Sequence, residues 1–322
     1  LLAGVSFDGE VTVEGHMVGR LTGLNFTPDI VEGKNSKPVL TAARRILPAE
    51  LTRRVQQIQI DLDDQFSIDE MGKISCHGFK IAILTQGKDS LSPVIKLKVS
   101  ELVTTAQREI LERRLGRWFS NYLIKFIPAL MCLRATTVKG PARGILFQIT
   151  ECFGAVPRKT LNNLIRNLDD RGKRDLSVSG VRFGVHTVFM PDLLKPKAIR
   201  LLAVLWCVFN EEELIEAIPN SGRVSMARNI KIKDGFYYAL GYVGLGSHVV
   251  RLDIVERLAV MLRKAAKSEP FLLSAEMLSI VGLGYKEMIS VIESLGYKCV
   301  NNLDGKILCR RKIIKRKIKK TN

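Results

Sequence analysis

Several chemistries are missing from this 322-residue sequence. No Gly-x-x-x-x-Gly-Lys-Ser/Thr loop occurs. Gly72-Lys73, Gly87-Lys88 and Gly305-Lys306 each lack either the earlier glycine or the following hydroxyl residue. The chain therefore has no visible backbone cradle for a triphosphate. A nucleophile elbow is also missing. Cysteine is scarce and scattered: Cys76, Cys132, Cys152, Cys207, Cys299 and Cys309 form no C-x-x-C pair. They read as reduced, mostly buried thiols in a cytosolic protein. With only four His residues, none at ligand spacing from a cysteine pair, no zinc site is expected. The longest apolar run, Leu201 to Phe209, is nine residues, too short to span a bilayer. Leu1-Leu2-Ala3-Gly4 does not make a signal peptide, so a soluble, cytoplasmic chain without a membrane partner is expected. The first residue is not Met, and the chain reads as a fragment of a longer polypeptide or a start codon read literally.

Acidic residues are the other shortage. Thirty-two Asp and Glu face fifty Lys and Arg, a net charge of +18. A surplus of this size favours polyanionic partners, nucleic acid before an anionic membrane surface. The surplus is concentrated at one end. From Arg310 to Lys320, eight of eleven residues are cationic and none is acidic. Such a segment repels itself and stays extended until it meets phosphate. Its isoleucines, Ile313, Ile314 and Ile318, are too few for a hydrophobic anchor.

The clearest organisation is a repeat. Residues 9–22 (GEVTVEGHMVGRLT) match residues 72–85 (GKISCHGFKIAILT) at an offset of 63, pairing Gly9/Gly72, Val11/Ile74, Gly15/Gly78, Val18/Ile81 and Leu21/Leu84. Each copy alternates apolar and polar residues around a glycine turn, which is hairpin chemistry. Each copy then reaches a proline, Pro28 or Pro93, and a helix over about 39–58 or 100–126. Ser100 is the expected cap of the second helix and Pro128 its stop. Trp118 lies within that helix's apolar stripe and reads as a core anchor. Two such units should pack as one domain.

Residues 140–215 read as a helical block with one strand. Gly140-Pro141 opens a helix that Gly154 closes, Thr160 caps the next, residues 181–190 form a single β-type run, and a helix starts near Pro196. Residues 216–250 look irregular. Gly241-Tyr242-Val243-Gly244-Leu245-Gly246 lacks the order of a dinucleotide fingerprint and reads as loop and turn. Three helices follow, over about 252–267, from Ser274 to Gly282, and over about 285–295. A hairpin around residues 301–305 comes next, and this is the winged-helix order. Asp253-Ile254-Val255-Glu256 has the form of a metal box, but it falls inside a helix and reads as a solvated face. His186 lies on the strand face opposite Val185 and reads as a surface or interface residue.

Several stretches carry a family resemblance: Gly140-Pro141-Ala142-Arg143-Gly144-Ile145-Leu146-Phe147-Gln148, Gly180 through Pro191, Leu193-Leu194-Lys195-Pro196 and Leu205-Trp206. Ser274 through Gly282, Val291 through Tyr297, the duplicated hairpins and the basic tail extend it over nearly the whole chain. Together they resemble the C-terminal region of alphaproteobacterial superfamily II (DExH-type) helicases related to the mitochondrial degradosome RNA helicase. In that family the ATPase core lies N-terminal to this region, so no family catalytic residue has a position here. The resemblance implies fold and substrate class, and it implies ATP and Mg only for a helicase core outside this chain.

The expected fold class is α+β and multidomain. Residues 1–128 should form the duplicated β-hairpin–helix domain and 129–215 a mostly helical accessory domain. Residues 216–250 should connect it to a winged-helix-like domain at 251–312, followed by a basic tail at 313–322. No catalytic residue, metal or cofactor is expected. RNA or single-stranded DNA is the expected partner, with a helicase motor core in the same polypeptide or a nuclease beside it. The alternative is a stand-alone, non-enzymatic nucleic-acid-binding protein. Phosphate contacts are expected from Arg310, Arg311, Lys312, Lys315, Arg316, Lys317, Lys319 and Lys320. Arg182, Lys195, Lys197 and Arg200 are a second group, beside Phe183, which reads as core packing before base stacking.

Overall fold

The computed structural model describes residues 3–6, 9–29, 37–213, 218–219, 222–268, 270–301 and 307–312. The protein is a mixed α+β chain of several small antiparallel sheets and many helices. It divides into two compact units, Leu1–Phe126 with Cys207–Leu214, and Ile127–Trp206 with Ile215–Asn322. Among the described residues, no helix is long and apolar enough to cross a membrane.

The first unit is built twice from the same plan. Strands β1 (Ala3–Val5), β2 (Glu10–Val13), β3 (His16–Thr22) and β4 (Asn25–Pro28) form a meander, followed by α1 (Lys37–Ile60). Strands β5 (Phe66–Ile68), β6 (Lys73–Cys76), β7 (Phe79–Thr85) and β8 (Val94–Leu97) repeat it, followed by α2 (Thr105–Phe126). The copies agree in their hydrogen bonds as well as their sequence. Gly9 N–H donates to Ser6 O and Leu21 N–H to Gly9 O; 63 residues on, Gly72 donates to Asp69 O and Leu84 to Gly72 O. A register shift falls after Val11 in one copy and after Ile74 in the other. Both hairpins turn on two residues of positive φ, Glu14-Gly15 and His77-Gly78, the backbone of a type I′ loop. At Gly9, where φ is 82°, a Cβ atom would collide with the carbonyl of Leu21, whose N–H donates to Gly9 O, so the turn demands glycine.

Alternation, broken once in each hairpin at the register shift, gives each sheet one apolar face. Val11, Val13, Val18 and Leu21 are buried in the first copy, and Ile74, Cys76, Ile81 and Leu84 in the second. Leu47, Leu51 and Val55 of α1 and Leu111, Leu115 and Trp118 of α2 complete the core. Each fully buried aliphatic side chain contributes about 2 kcal/mol. The copies are stitched together by Ser100 N–H donating to Leu24 O at 3.0 Å and Asn25 Nδ2 donating to Lys98 O at 2.6 Å. Trp118 is buried as expected, and its Nε1 donates to Asp63 O at 3.1 Å. Helix α2 starts later than the sequence suggests. Thr104, not Ser100, caps it: its hydroxyl accepts from Gln107 N–H while the Gln107 side chain accepts from Thr104 N–H. This reciprocal pair is a capping box. Ser100 instead supports a turn through Leu102 N–H.

In the second unit, α3 (Pro128–Ala135) begins directly at the proline that stops α2. Then come α4 (Gly140–Glu151), β9 (Ala155–Pro157), α5 (Asn162–Arg166) and α6 (Asp170–Val178). Thr160 sits inside a 3-10 turn and caps nothing; the side chain that caps here is Asp169, accepting from Gly172 N–H at the start of α6. The expected single strand over 181–190 is two, β10 (Arg182–Phe183) and β11 (Thr187–Phe189), and β11 also pairs with β9. Helix α7 (Pro196–Asn210) follows, belonging to this unit as far as Trp206 and to the first unit from Cys207.

The stretch expected to be irregular carries regular elements from Ser225 onward. It holds β12 (Ser225–Ala227), α8 (Asp234–Ala239), β13 (Tyr242–Leu245) and β14 (His248–Arg251), with sheet order β12-β14-β13. Its glycines mark the ends of a hairpin: Gly241 and Gly246 have positive φ and bracket β13. The last elements are α9 (Leu252–Ala265), β15 (Phe271–Leu272), α10 (Ala275–Val281), α11 (Tyr285–Ser294), β16 (Tyr297–Asn301) and β17 (Ile307–Arg311). Ser274 caps α10 through Met277 N–H, and Gly282 ends it in the left-handed conformation, both as the sequence implies. The sheet order is β15-β17-β16. Leu258, Leu262, Val281, Met288, Val291 and Ile292 form its core.

Candidate nucleic-acid interface

The β16–β17 hairpin carries the densest described positive charge at the chain's end. Antiparallel register puts Lys298 opposite Arg310, Cys299 opposite Cys309 and Tyr297 opposite Arg311. Because successive side chains alternate, one face holds buried Tyr297, Cys309 and Ile307. The other face presents Lys298 and Arg310, both exposed and with no ion pair among the described residues. Like charges directly opposite on a sheet are mutually destabilising, and an anion lying along the face removes that repulsion. Arg311 and Lys312 are exposed at the end of β17. Lys312 N–H donates to Gly296 O at 2.9 Å and Lys312 Nζ to Glu293 O at 2.8 Å, anchoring Lys312 to the end of α11 and the residue before β16. Lys315, Arg316, Lys317, Lys319 and Lys320 lie outside the described residues.

On its other face the hairpin brings Cys299 and Cys309 together, Sγ to Sγ 2.7 Å, inside van der Waals contact. The hydrogen bond between them pushes the Cys299 thiol up and draws Cys309 down. The expectation of scattered, mostly buried thiols therefore needs correction. These two are paired in space, and Cys132 and Cys152 are exposed. The apolar stripes of α3 and α4 run through Leu130, Leu133, Ile145 and Ile149 and miss them.

The second predicted group is dispersed along one segment. Arg182 is exposed on β10, where its Cα partners Phe189. With Lys173, Phe183 and Pro191 it lines a cavity of about 650 Å³ whose far wall carries Asp253 and Glu256. Phe183 is half-buried and Phe189 buried. Lys195 is exposed and pairs with exposed Asp192 at 3.2 Å, a surface contact of little energetic weight. Lys197 and Arg200 stand exposed in the opening turns of α7, without an ion pair among the described residues. No acid occupies the first turn of α7. Cations there oppose the helix dipole, so the helix itself gains nothing from them.

The Asp253-x-x-Glu256 segment is not a solvated face. Asp253 takes a two-pronged contact from Arg251, with Nε to Oδ1 at 2.6 Å and Nη2 to Oδ2 at 2.9 Å. Glu256 accepts three backbone N–H groups from the β10–β11 turn: His186 at 3.0 Å and Thr187 at 2.8 Å on Oε1, and Val185 on Oε2. A Cβ at Gly184 would run into this carboxylate, so glycine permits the approach. From the other side, Arg158 Nη1 donates to Gly184 O at 2.7 Å. His186 is thereby held half-buried. Burial pushes its imidazole below the ordinary range, with the Glu256 charge opposing and the Arg263 charge adding to the shift. The 70-residue separation between acceptor and turn left no local signal of this clamp in the sequence.

Lys298 is a candidate residue of this face that the sequence alone did not single out. Its charge is isolated in sequence and meets Arg310 only through the hairpin register. Among the described residues, the one group of three metal-type donors close enough to share an ion lies elsewhere, in the duplicated unit. Compared with family models, curated proteins and solved structures, the chain finds no match.

Proposed function

We propose that this chain is the accessory C-terminal region of an ATP-dependent RNA or DNA helicase, acting in the cytoplasm, where it binds and guides single-stranded nucleic acid. The observation that carries the reading is the outward face of the terminal hairpin, where Lys298 and Arg310 stand opposed and lead into Arg311, Lys312 and the basic stretch beyond. Opposed, unneutralised cations on a strand pair, followed in sequence by a basic segment, match a phosphate backbone in charge. A motor core grips a short stretch of strand, and a tethered basic surface raises the local concentration of the remainder.

The helix order α9, α10, α11 with the β15-β17-β16 sheet supports a winged-helix reading of this part. In that reading the β16–β17 hairpin is the wing. Charge favours the wing over the last helix, since α11 carries one lysine, Lys286, against Glu287 and Glu293. The motif is thus read as a strand-holding device and not as a base-reading helix. Arg182, Lys197 and Arg200 extend the binding surface in this proposal.

A stand-alone, non-enzymatic nucleic-acid-binding protein is the second reading, favoured by the lack of any P-loop in the 322 residues. Translation of the reading frame upstream of Leu1 separates the two. A Walker loop and a D-E-x-H box in frame support the helicase reading, and a stop codon followed by a start site supports the other. Binding itself is tested by fluorescence anisotropy with labelled single-stranded RNA and DNA, using the full chain and a chain ending at Lys312. The expected result is binding to both strands at low ionic strength, weakened by the truncation, with no ATP hydrolysis. Indifference to both strands overturns the proposal.

A further inference from the structure

We propose that Asp61, Cys76 and His77 form a binding site for a zinc-class transition-metal ion in the duplicated unit, with a coordination position left for solvent. The three side chains offer one oxygen, one sulfur and one nitrogen, all within 4.8 Å of one another. Asp61 Oδ2 lies 2.8 Å from His77 Nε2 and 3.6 Å from Cys76 Sγ. Tetrahedral zinc, with bonds of about 2.0–2.3 Å, sets its ligand atoms roughly 3.3–3.7 Å apart. The observed triangle reaches that geometry through side-chain shifts on the order of 1 Å. The mixed donor set also selects the ion: a thiolate with an imidazole suits zinc, cobalt or copper, whereas calcium and magnesium require oxygen.

Each ligand is held by its own surroundings. Cys76 ends β6 and is 2 % exposed. His77 follows in the tight turn at φ 50°, with its backbone N–H donating to Gln65 O at 3.2 Å. The Asp61 side chain is 4 % exposed. Its second oxygen accepts from Gln57 Nε2 at 2.8 Å, and its backbone carbonyl accepts from buried Arg114 at 2.7 Å. These are the outer contacts that orient metal ligands. Cys76 and His77 also line a cavity of about 700 Å³ together with Glu50, Arg53 and Gln57, which leaves room for a solvent ligand.

The duplication supplies an internal control. At the offset of 63, Cys76 corresponds to Val13 and His77 to Glu14. The first copy builds the same hairpin, the same register shift and the same turn with neither sulfur nor imidazole at these two positions. The hairpin frame therefore does not require these donors, and their convergence on a buried carboxylate calls for another reason. Binding is balanced chemically: the Cys76 S–H bond breaks, its proton leaves to solvent, and the thiolate and the Asp61 carboxylate neutralise the dication.

The test is a Co2+ titration of the full chain followed by Zn2+ competition. Cys299→Ser and Cys309→Ser are present throughout to remove the other thiol pair. Cys76→Val and His77→Glu are the informative variants, because the first copy already carries those residues in the same frame. The expected result is one equivalent of Co2+ with a near-ultraviolet thiolate charge-transfer band that Zn2+ abolishes. Cys76→Val should lose the band, and each variant should weaken Zn2+ binding at least tenfold. Metal binding without the thiolate band, or equal affinity in Cys76→Val, would overturn the assignment and leave the cluster a hydrogen-bonded triad.

Discussion

Replacing Glu256 with alanine tests how the second unit holds its β10–β11 turn. Three backbone N–H groups, of Val185, His186 and Thr187, end on this one carboxylate. Hydrogen bonds to a charged acceptor contribute roughly 1.5–3 kcal/mol each, and they do not add when they share an acceptor. With the donors left partly buried, Glu256→Ala should cost about 3 kcal/mol. For a unit of this size, that lowers the unfolding midpoint by roughly 6–12 °C. Glu256→Gln keeps the oxygen facing His186 and Thr187 and turns an NH2 toward Val185, so it should cost about 1–2 kcal/mol. Hydrogen exchange read by mass spectrometry localises the effect, with faster exchange at residues 185–187. A double-mutant cycle sharpens it. Gly184→Ala is strongly destabilising while the carboxylate occupies the space of the new Cβ, and much less so in the Glu256→Ala background, where that space is open. A midpoint shift below about 2 °C with unchanged exchange, or an additive cycle, would refute the clamp.

Three further outcomes follow from the geometry. Hydrogen bonds from Arg53, reinforced by Arg54 against the effect of burial, lower Glu50 from 4.5 to about 2. Because the folded value lies below the unfolded one, this stabilisation is complete above about pH 4.5 and fades as the pH falls toward 2. With Arg53 67 % exposed, solvent screening reduces it to about 1 kcal/mol, so urea midpoints of wild type and Glu50→Gln should converge across that window. Oxidised glutathione should remove two titratable thiols by joining Cys299 to Cys309, stabilise the hairpin by roughly 2–3 kcal/mol, and do neither in Cys299→Ser. Thr104→Ala removes one half of the α2 capping box and should cost about 1 kcal/mol in chemical denaturation.

The parts of the fold legible in sequence were those with local, periodic signals. Glycine turns and alternation revealed the duplicated hairpins because each determinant lies within fourteen residues of the next. Ser274 and Gly282 bracketed α10 because a cap and a left-handed stop are themselves local. What escaped notice depended on distant partners. The β9 strand is too short to show a period and exists through pairing with β11. The glycines of 241–246 hid a hairpin, because they mark both its turn and its ends. Asp169 capped a short helix that had no apolar stripe to announce it. The candidate site divided in the same way. A run of cations is visible in any sequence, whereas Lys298 gains its meaning only from a register that sets it against Arg310. Glu256 and Asp61 acquire their roles from partners 70 and 15 residues away.

The decisive measurement is the salt dependence of single-stranded RNA binding, compared between the full chain and Lys298→Glu/Arg310→Glu. Both side chains are exposed and the hairpin core is untouched, so folding should be preserved. Each phosphate contact adds about 0.7 to the slope of log affinity against log salt for a single strand. Loss of two contacts predicts weaker binding and a slope shallower by about 1.4. A double variant that binds as tightly as wild type, with the same slope, would contradict a phosphate-holding wing.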